Sequence, residues 1–590
     1  MKACAQKQTP VASDSAVAAW RFWVVVGGLI VLTCLLIGRL LSLQVLDLGD
    51  RDHAFLQQQG DARAVRTVSL PAYRGMITDR NGQPLAVSTP VKTLWAQPEI
   101  LLAHPEHWAI LAKTLGVPQD QFRKRLQSAK GGSFMYLRRH MTPADADRVL
   151  ALDIPGVSEI AEYRRYYPAG EVAAHIVGFT NIDDKGQEGL ELAYDAMLQG
   201  APGAKRVVRN LNGQIISDAG LVRSARPGQD LRLSIDLRLQ YLAYRELKAA
   251  VTKARAHSGS IILLDSRTGE ILAMANQPSY NPNDRSAMSA SALRNRAITD
   301  LLEPGSTAKP LAMVAALESG LYKPHTPIDT RPGYIGVRTG KTSTKIIKDH
   351  RNYGLTDITG VITHSSNVGM TKIAFSLEPD KIPNVLSRFG FGQPTGIGFP
   401  GEASRMLPSH RRWPEIDRAT LAYGYGFAVT PLQLAQAYAV LANKGIRKPL
   451  SLRMGGADEA GEQVIDPVIN AQIVEMMKTV TQSEGTATRA SVVGYSVAGK
   501  TGTAHRLDGG AYAEKSYVSL FAGIAPASDP RLVAVVIIDD PKGKDYFGGL
   551  VAAPVFSKVV GGAFRLMDVP PDEDDVHRVV VRAPVLRPRA

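Results

Sequence analysis

The chain has 590 residues, 45% hydrophobic and 21% charged, the balance of a globular protein and not of a disordered one. Its 53 glycines and 36 prolines are too few for a collagenous or low-complexity chain, and two cysteines, Cys4 and Cys34, cannot build a disulfide framework. The net charge of +14 suits an anionic surface such as lipid headgroups or cell-wall polymer; nucleic acid is disfavoured because the basic residues are scattered, the tightest run being Arg123-Lys124-Arg125.

Phe22 to Gly38 carries no charge, and a second apolar stretch, Leu40 to Leu46, follows Arg39. As a helix the first stretch spans about 25 Å and crosses a ~30 Å hydrocarbon core if Arg39 snorkels. A cleaved signal peptide needs a small-x-small site, which Arg39-Leu-Leu-Ser-Leu-Gln-Val45 does not offer. Residues 21–46 therefore read as an uncleaved anchor. Lys2, Lys7 and Arg21 against Asp14 alone place residues 1–20 in the cytoplasm and the rest of the chain outside.

Residues 47–235 read as an extended α+β module of short strands broken by Gly and Pro, with helices over 106–116 and 142–151. Asp230 to Asp236 reads as a strand and about 237–255 as a helix. The domain at 236–566 opens with two strands, Ser260 to Asp265 and Glu270 to Ala275, joined by the turn-like Ser266-Arg-Thr-Gly269. Helical patterns cover 307–320, 357–376, 380–389, 431–444 and 467–482. Strands at 495–504, 517–525 and 532–539 close it. This order predicts an α+β fold with a five-stranded antiparallel sheet flanked by helices and built from both ends of the domain. Residues 567–590, with Pro570-Pro-Asp-Glu-Asp-Asp575 and a basic end, read as a flexible tail.

Three motifs carry chemistry. In Ser306-Thr-Ala-Lys309-Pro310 a serine and a lysine three apart share a helix face. Pro310 is tolerated only in a first turn, so the helix starts near Ser306 or Thr307. The helix dipole and burial both disfavour the Lys309 ammonium, leaving an amine to activate Ser306. Taken alone, a solvated lysine and a capping serine explain the pattern as well. In His364-Ser365-Ser366-Asn367 an extended backbone would point Ser365 and Asn367 the same way; a helix N-cap explains this triplet equally. His364 has neither a partner acid nor a Gly-x-Ser-x-Gly elbow beside it and is not the favoured base. Lys500-Thr501-Gly502-Thr503 lies in an apolar strand whose alternation puts Lys500 and Gly502 on one face, Thr501 and Thr503 on the other. Gly502 would let an extended chain lie close, and Lys and Thr can bind its carboxylate. Gly494-Tyr-Ser-Val-Ala-Gly499-Lys500-Thr501 also matches the P-loop pattern letter for letter, but a P-loop opens a helix and this segment continues as a strand, so nucleotide binding is set aside.

Ser-x-x-Lys, Ser-Ser-Asn and Lys-Thr-Gly in this order resemble the penicillin-binding proteins and class A β-lactamases. Arg74-Gly-Met-Ile-Thr-Asp-Arg-Asn-Gly82, Arg165-Tyr-Tyr-Pro-Ala-Gly170, His175-Ile-Val-Gly178, Gly189-Leu-Glu191 and Asn295-Arg-Ala-Ile-Thr-Asp300 narrow the resemblance to class B. The Ser-Ser-Asn triplet and Lys500-Thr-Gly-Thr-Ala-His-Arg506 are most similar to the division-specific branch. This resemblance covers nearly everything after residue 20. It implies a pedestal (dimerisation-type) domain followed by a D,D-transpeptidase that cross-links peptidoglycan stem peptides ending in D-Ala-D-Ala and is a β-lactam target. It implies Ser306 as nucleophile, Lys309 as base, Ser365 as proton shuttle, Asn367 as holder of the donor peptide and Lys500 as source of positive potential. Thr501, Gly502 and Thr503 would bind the substrate, and Tyr425, Tyr546 and Phe547 match aromatic wall positions loosely. No cofactor or metal is implied. The implied partners are the membrane, division proteins and an FtsW-type lipid II glycosyltransferase. The rivals are an elongation transpeptidase, a D,D-carboxypeptidase and, from a different class, a β-lactam sensor or inactive division scaffold.

Overall fold

The computed structural model describes residues 19–44, 55, 59–60, 65–209, 215–286, 288–340, 342–456, 460–508 and 511–573. They fall into two compact units. The first comprises Met1–Pro71, Lys92–Ile160 and Pro202–Ala225; the second comprises Ala72–Val91, Ala161–Ala201 and Arg226–Ala590.

The first unit contains the apolar helix Ala19–Gln44, 26 residues long and with no buried residue. At 1.5 Å per residue it extends about 39 Å, enough to cross a bilayer. Arg39 continues the helix and sets its guanidinium 3.4 Å from Ser42 Oγ. A three-stranded antiparallel sheet has Gly203–Arg209 between Val65–Leu70 and Ile215–Arg223. A small core of Leu94, Leu111, Leu115, Phe122, Leu126 and Val149 is formed where the helices Trp108–Leu115, Gln119–Ser128 and Pro143–Leu150 turn their apolar positions inward.

The second unit is built on a five-stranded antiparallel sheet: β1 (Ser258–Asp265), β2 (Ile271–Gln277), β3 (Ala498–Asp508), β4 (Ala511–Ala525) and β5 (Leu532–Asp539), in the order β2-β1-β5-β4-β3. All of β1 is buried, as is β5 up to Ile538, so both faces are covered. That is why these strands read as continuous apolar runs and not as alternation. Helices α1 (Leu237–Ala254), α2 (Lys309–Glu318), α3 (Asn367–Ser376), α4 (Pro431–Ala442) and α5 (Ala553–Leu566) supply the cover. The predicted sheet is therefore present, closed at one edge by the strand that carries Lys500.

Of the module read from sequence as 47–235, the segments Ala72–Val91 and Ala161–Ala201 group by compactness with the second unit. Buried Arg74 Nε meets Glu191 at 2.5 Å, Arg165 Nε meets the other Glu191 oxygen at 2.6 Å, and Arg74 Nη1 meets Asp195 at 2.7 Å. Asp79 accepts the N–H groups of Asn81 and Gln83 with one oxygen and that of Leu237 with the other. His175, pushed down to about 4 by burial, hydrogen-bonds the Ala292 carbonyl at 2.8 Å. The charged motif residues of this region are thus a structural network. Residues 567–573, assigned to a flexible tail, are tied down. Tyr495 donates its hydroxyl to the Val569 carbonyl, and Asp572 accepts from the N–H and hydroxyl of Ser496 and from Ser528. The tail at 574–590 lies outside the described residues, as do residues 1–18 and 45–46 of the expected cytoplasmic segment and anchor.

Candidate active site

The segment before α2 is a 3-10 turn, Gly305–Ala308, and the α-helix itself begins at Lys309 with Pro310 in its first turn. Proline stops the helix from extending further back. Half-buried Ser306 therefore sits in the turn, and Lys309 opens the helix below it.

Lys309 is completely buried. Its Nζ lies 2.5 Å from the Ser365 carbonyl oxygen, 3.2 Å from Ser365 Oγ and 2.8 Å from Asn367 Oδ1. Burial pushes this amine down to about 7, with the Asp349 carboxylate pulling the other way. The first two motifs are thus brought together at one nitrogen.

The backbone around Ser365 differs from expectation. The helical pattern over 357–376 is broken into Ile358–Thr363 and α3, because Ser365 adopts φ 61°. Ser366 caps α3, accepting the Gly369 N–H at 2.8 Å, and Asn367 is its first residue. Ser365 and Asn367 converge on Lys309 through this left-handed kink and not through an extended strand. The Asn367 amide is largely committed: Oδ1 to Lys309, and one Nδ2 hydrogen to the Lys348 carbonyl at 3.2 Å. One N–H of that amide remains for a ligand. His364 is a packing residue, its ring stacked on Tyr353 at 4.9 Å.

β3 is an edge strand and places the third motif. Gly502 faces the Gly305–Ala308 turn: a Cβ there would lie 3.1 Å from Pro304 O and 3.1 Å from Thr307 Cγ2. The room the glycine leaves is occupied by the segment carrying Ser306. Lys500 shares that inward face and is fully buried, its Nζ 3.3 Å from the Thr501 carbonyl. Burial, and then the charge of Lys309, hold Lys500 well below the ordinary lysine range. On the other face Thr501 Oγ1 lies 2.8 Å from Thr486 Oγ1, and Thr503 Oγ1 accepts the Gly548 N–H at 3.1 Å. Gly548 approaches so closely that a Cβ would fall 2.4 Å from Gly502 O.

Tyr425 borders the turn, its ring 4.0 Å from where a Gly305 Cβ would be and its hydroxyl 3.4 Å from the Thr503 carbonyl. Burial pushes that phenol up to about 12, so it stays a donor. Tyr546 belongs to a run of rings: His505 on Tyr517 at 4.9 Å, Tyr517 on Tyr546 at 4.3 Å, Tyr546 on Phe547 at 4.5 Å, and Phe547 against His350 at 6.0 Å.

Sequence reasoning missed Asp349. Its carboxylate accepts the Ser366 hydroxyl and the Asn367 N–H, each at 2.5 Å, and the Val368 N–H at 3.0 Å. An anion at a helix N-terminus is favourable, and here it pins the Ser-Ser-Asn triplet. Thr486, Tyr517 and His350 were also missed. As to metals, His104, Glu106 and His107 in the first unit have ligand atoms within 4.8 Å of one another, although Glu106 is already bonded to His104 at 2.9 Å. The P-loop look-alike is partly the opening of β3 and starts no helix.

Residues 259–561 match the penicillin-binding protein transpeptidase domain, and residues 69–233 match the penicillin-binding protein dimerisation domain. The chain is 44% identical over 553 residues to the probable peptidoglycan D,D-transpeptidase PbpC of Pseudomonas aeruginosa, covering 94% of this chain and 96% of that one. It is 42% identical over 580 residues to the peptidoglycan D,D-transpeptidase FtsI of Escherichia coli, covering 97% and 96%. Among solved structures, a peptidoglycan synthetase from Bifidobacterium adolescentis superposes with TM-score 0.67 at 27% identity, covering 86% of this chain and 98% of that one.

Proposed function

The chain belongs to the class B penicillin-binding proteins and is a serine-type peptidoglycan D,D-transpeptidase that acts on stem peptides and binds β-lactams; from that premise we propose that Ser306 is its nucleophile and Lys309 its base. The observation that carries this reading is the buried Lys309 Nζ, held among Ser365 and Asn367 and poised near pH 7.

In the forward step the neutral Lys309 amine takes the Ser306 Oγ proton as Oγ bonds to the penultimate D-Ala carbonyl carbon. The backbone N–H groups of Ser306 and Thr503 hold the oxyanion, each such donor contributing roughly 3–4 kcal/mol. As the peptide bond breaks, Ser365 relays a proton to the departing D-Ala amine. An acceptor amine then attacks the acyl-enzyme and forms the cross-link. Thr501 and Thr503 take the terminal carboxylate, and Lys500 supplies positive potential beside it. Gly502 lets β3 lie against the nucleophile turn. Asn367 positions Lys309 and offers its remaining N–H to the donor peptide. Tyr425, Tyr546 and Phe547 line the cleft.

The helix Ala19–Gln44 anchors this enzyme in the inner membrane with the N-terminus cytoplasmic and the catalytic domain periplasmic, at the division septum. The likeness to FtsI supports that place and a partnership with an FtsW-type lipid II glycosyltransferase. Fluorescent-penicillin labelling of the full chain tests the core of the reading: wild type acquires one adduct on the Ser306 peptide and Ser306→Ala none. Full labelling of Ser306→Ala refutes it.

A further inference from the structure

The second unit has a cavity of about 710 Å³, larger than the crevice of about 260 Å³ beside β3, and its lining includes Lys544, Asp545, Leu550 and Val551 on either side of Tyr546 and Phe547 in the chain. Its floor is apolar and made of small side chains: Ala249, Ala250 and Ala254 of α1 face Val551 and Pro554. Its rim is basic, with Lys253, Arg489, Lys544 and Lys558. Of its two acids, Glu246 is already engaged by Arg245 at 2.8 Å and by Lys558 at 3.3 Å, which leaves Asp545. Lys253, Arg489 and Lys544 make no ion pair among the described residues. Four cations around an alanine-lined floor complement an anion with small apolar groups.

The wall of this cavity also leads to the catalytic cleft. Lys542 N–H donates to the Ala254 carbonyl at 3.0 Å, fixing the start of the segment on α1. A few residues on, Ser519 Oγ holds the Tyr546 carbonyl at 2.5 Å and Gly548 N–H holds Thr503 Oγ1 at 3.1 Å. One short stretch therefore forms a side of the cavity and the support of Thr503.

We propose that this cavity is a second, non-catalytic site for an uncross-linked stem peptide of the wall, whose carboxylates meet Lys253, Arg489 and Lys544 while its alanine methyls rest on the apolar floor. This rests on the transpeptidase reading, which brings such peptides to the enzyme. None of Ser306, Lys309, Ser365, Asn367 and Lys500 lines the cavity, so strand ends can be retained there while Ser306 is occupied.

The test uses the full chain in detergent, first acylated with benzylpenicillin to block the cleft, and titrates it calorimetrically with soluble disaccharide pentapeptide. Saturable one-site binding is expected, weakened at least ~10-fold in Lys253→Glu/Lys544→Glu and by amidation of the peptide carboxylates. Ala250→Trp, which fills the floor, should weaken binding without reversing charge. Penicillin acylation of each variant shows that it is folded. Absence of binding to the acylated protein, or binding indifferent to both the charge reversal and the amidation, overturns the proposal. Equal binding of an unrelated acidic peptide also overturns it, since the cavity would then be a general anion groove. Failure of penicillin to acylate wild type would instead refute the transpeptidase reading itself.

Discussion

Asp349 and Asn367 are joined at the backbone: the Asp349 carboxylate accepts the Asn367 N–H at 2.5 Å, while the Asn367 side chain holds Lys309 Nζ at 2.8 Å. Lys309, the proposed base, is therefore positioned at second hand by an acid outside all three motifs, and that acid also raises the pKa that burial lowers.

The pH dependence of acylation follows from Lys309. The active species is the free amine, so the rate should climb as pH rises through about 7 and level off above it. A lysine at its usual value of 10.5 would still be climbing at pH 9. Lys309→Arg keeps a cation but cannot be deprotonated, and should lose ~10²-fold or more in acylation rate. Stopped-flow acylation across pH 5–9 measures both; a normal rate in the arginine variant would place the base elsewhere.

Asp349→Asn keeps the side chain's size and removes its charge. Hydrogen bonds to a charged group are worth ~1.5–3 kcal/mol, so acylation should slow by ~10-fold or more. Loss of the nearby anion should also lower the pKa of Lys309 and move the rising limb toward acid. If the rate drops with the limb unmoved, Asp349 only braces α3.

Glu191 is the shared acceptor of two buried arginines, Arg74 and Arg165. Glu191→Ala strands both charges and should destabilise the chain by ~3–5 kcal/mol, read as a drop in denaturation midpoint. Glu191→Gln, which can still accept hydrogen bonds, should cost less. An unchanged midpoint in the alanine variant would mean that water reaches these guanidinium groups.

Gly27, Gly28 and Gly38 give the apolar helix small faces for packing on another helix. Replacing residues 21–46 with an unrelated single-pass anchor should leave β-lactam acylation intact, reduce midcell accumulation and weaken rescue of a division-deficient strain. Normal rescue would reduce the segment to a tether.

The three motifs stand out in the sequence because each is a local string whose spacing constrains chemistry, and strands β1 and β5 were legible because buried strands are continuous apolar runs. The anchor could be read from an uncharged stretch long enough to cross a bilayer. Nothing local marks Asp349: in Lys348-Asp349-His350-Arg351 it looks like one more charge on a solvated turn. Tyr517 looks like any strand aromatic, and the kink at Ser365 is hidden in a helical pattern. The lowered pKa of Lys309 and of Lys500 comes first from burial, opposed by Asp349 at Lys309 and reinforced by the charge of Lys309 at Lys500, and what Gly502 accommodates depends on which segment packs against it. These are relations between residues far apart in the chain. Covalent spacing fixes what a motif can do, but desolvation and the direction of a hydrogen bond exist only once the fold has brought the partners together.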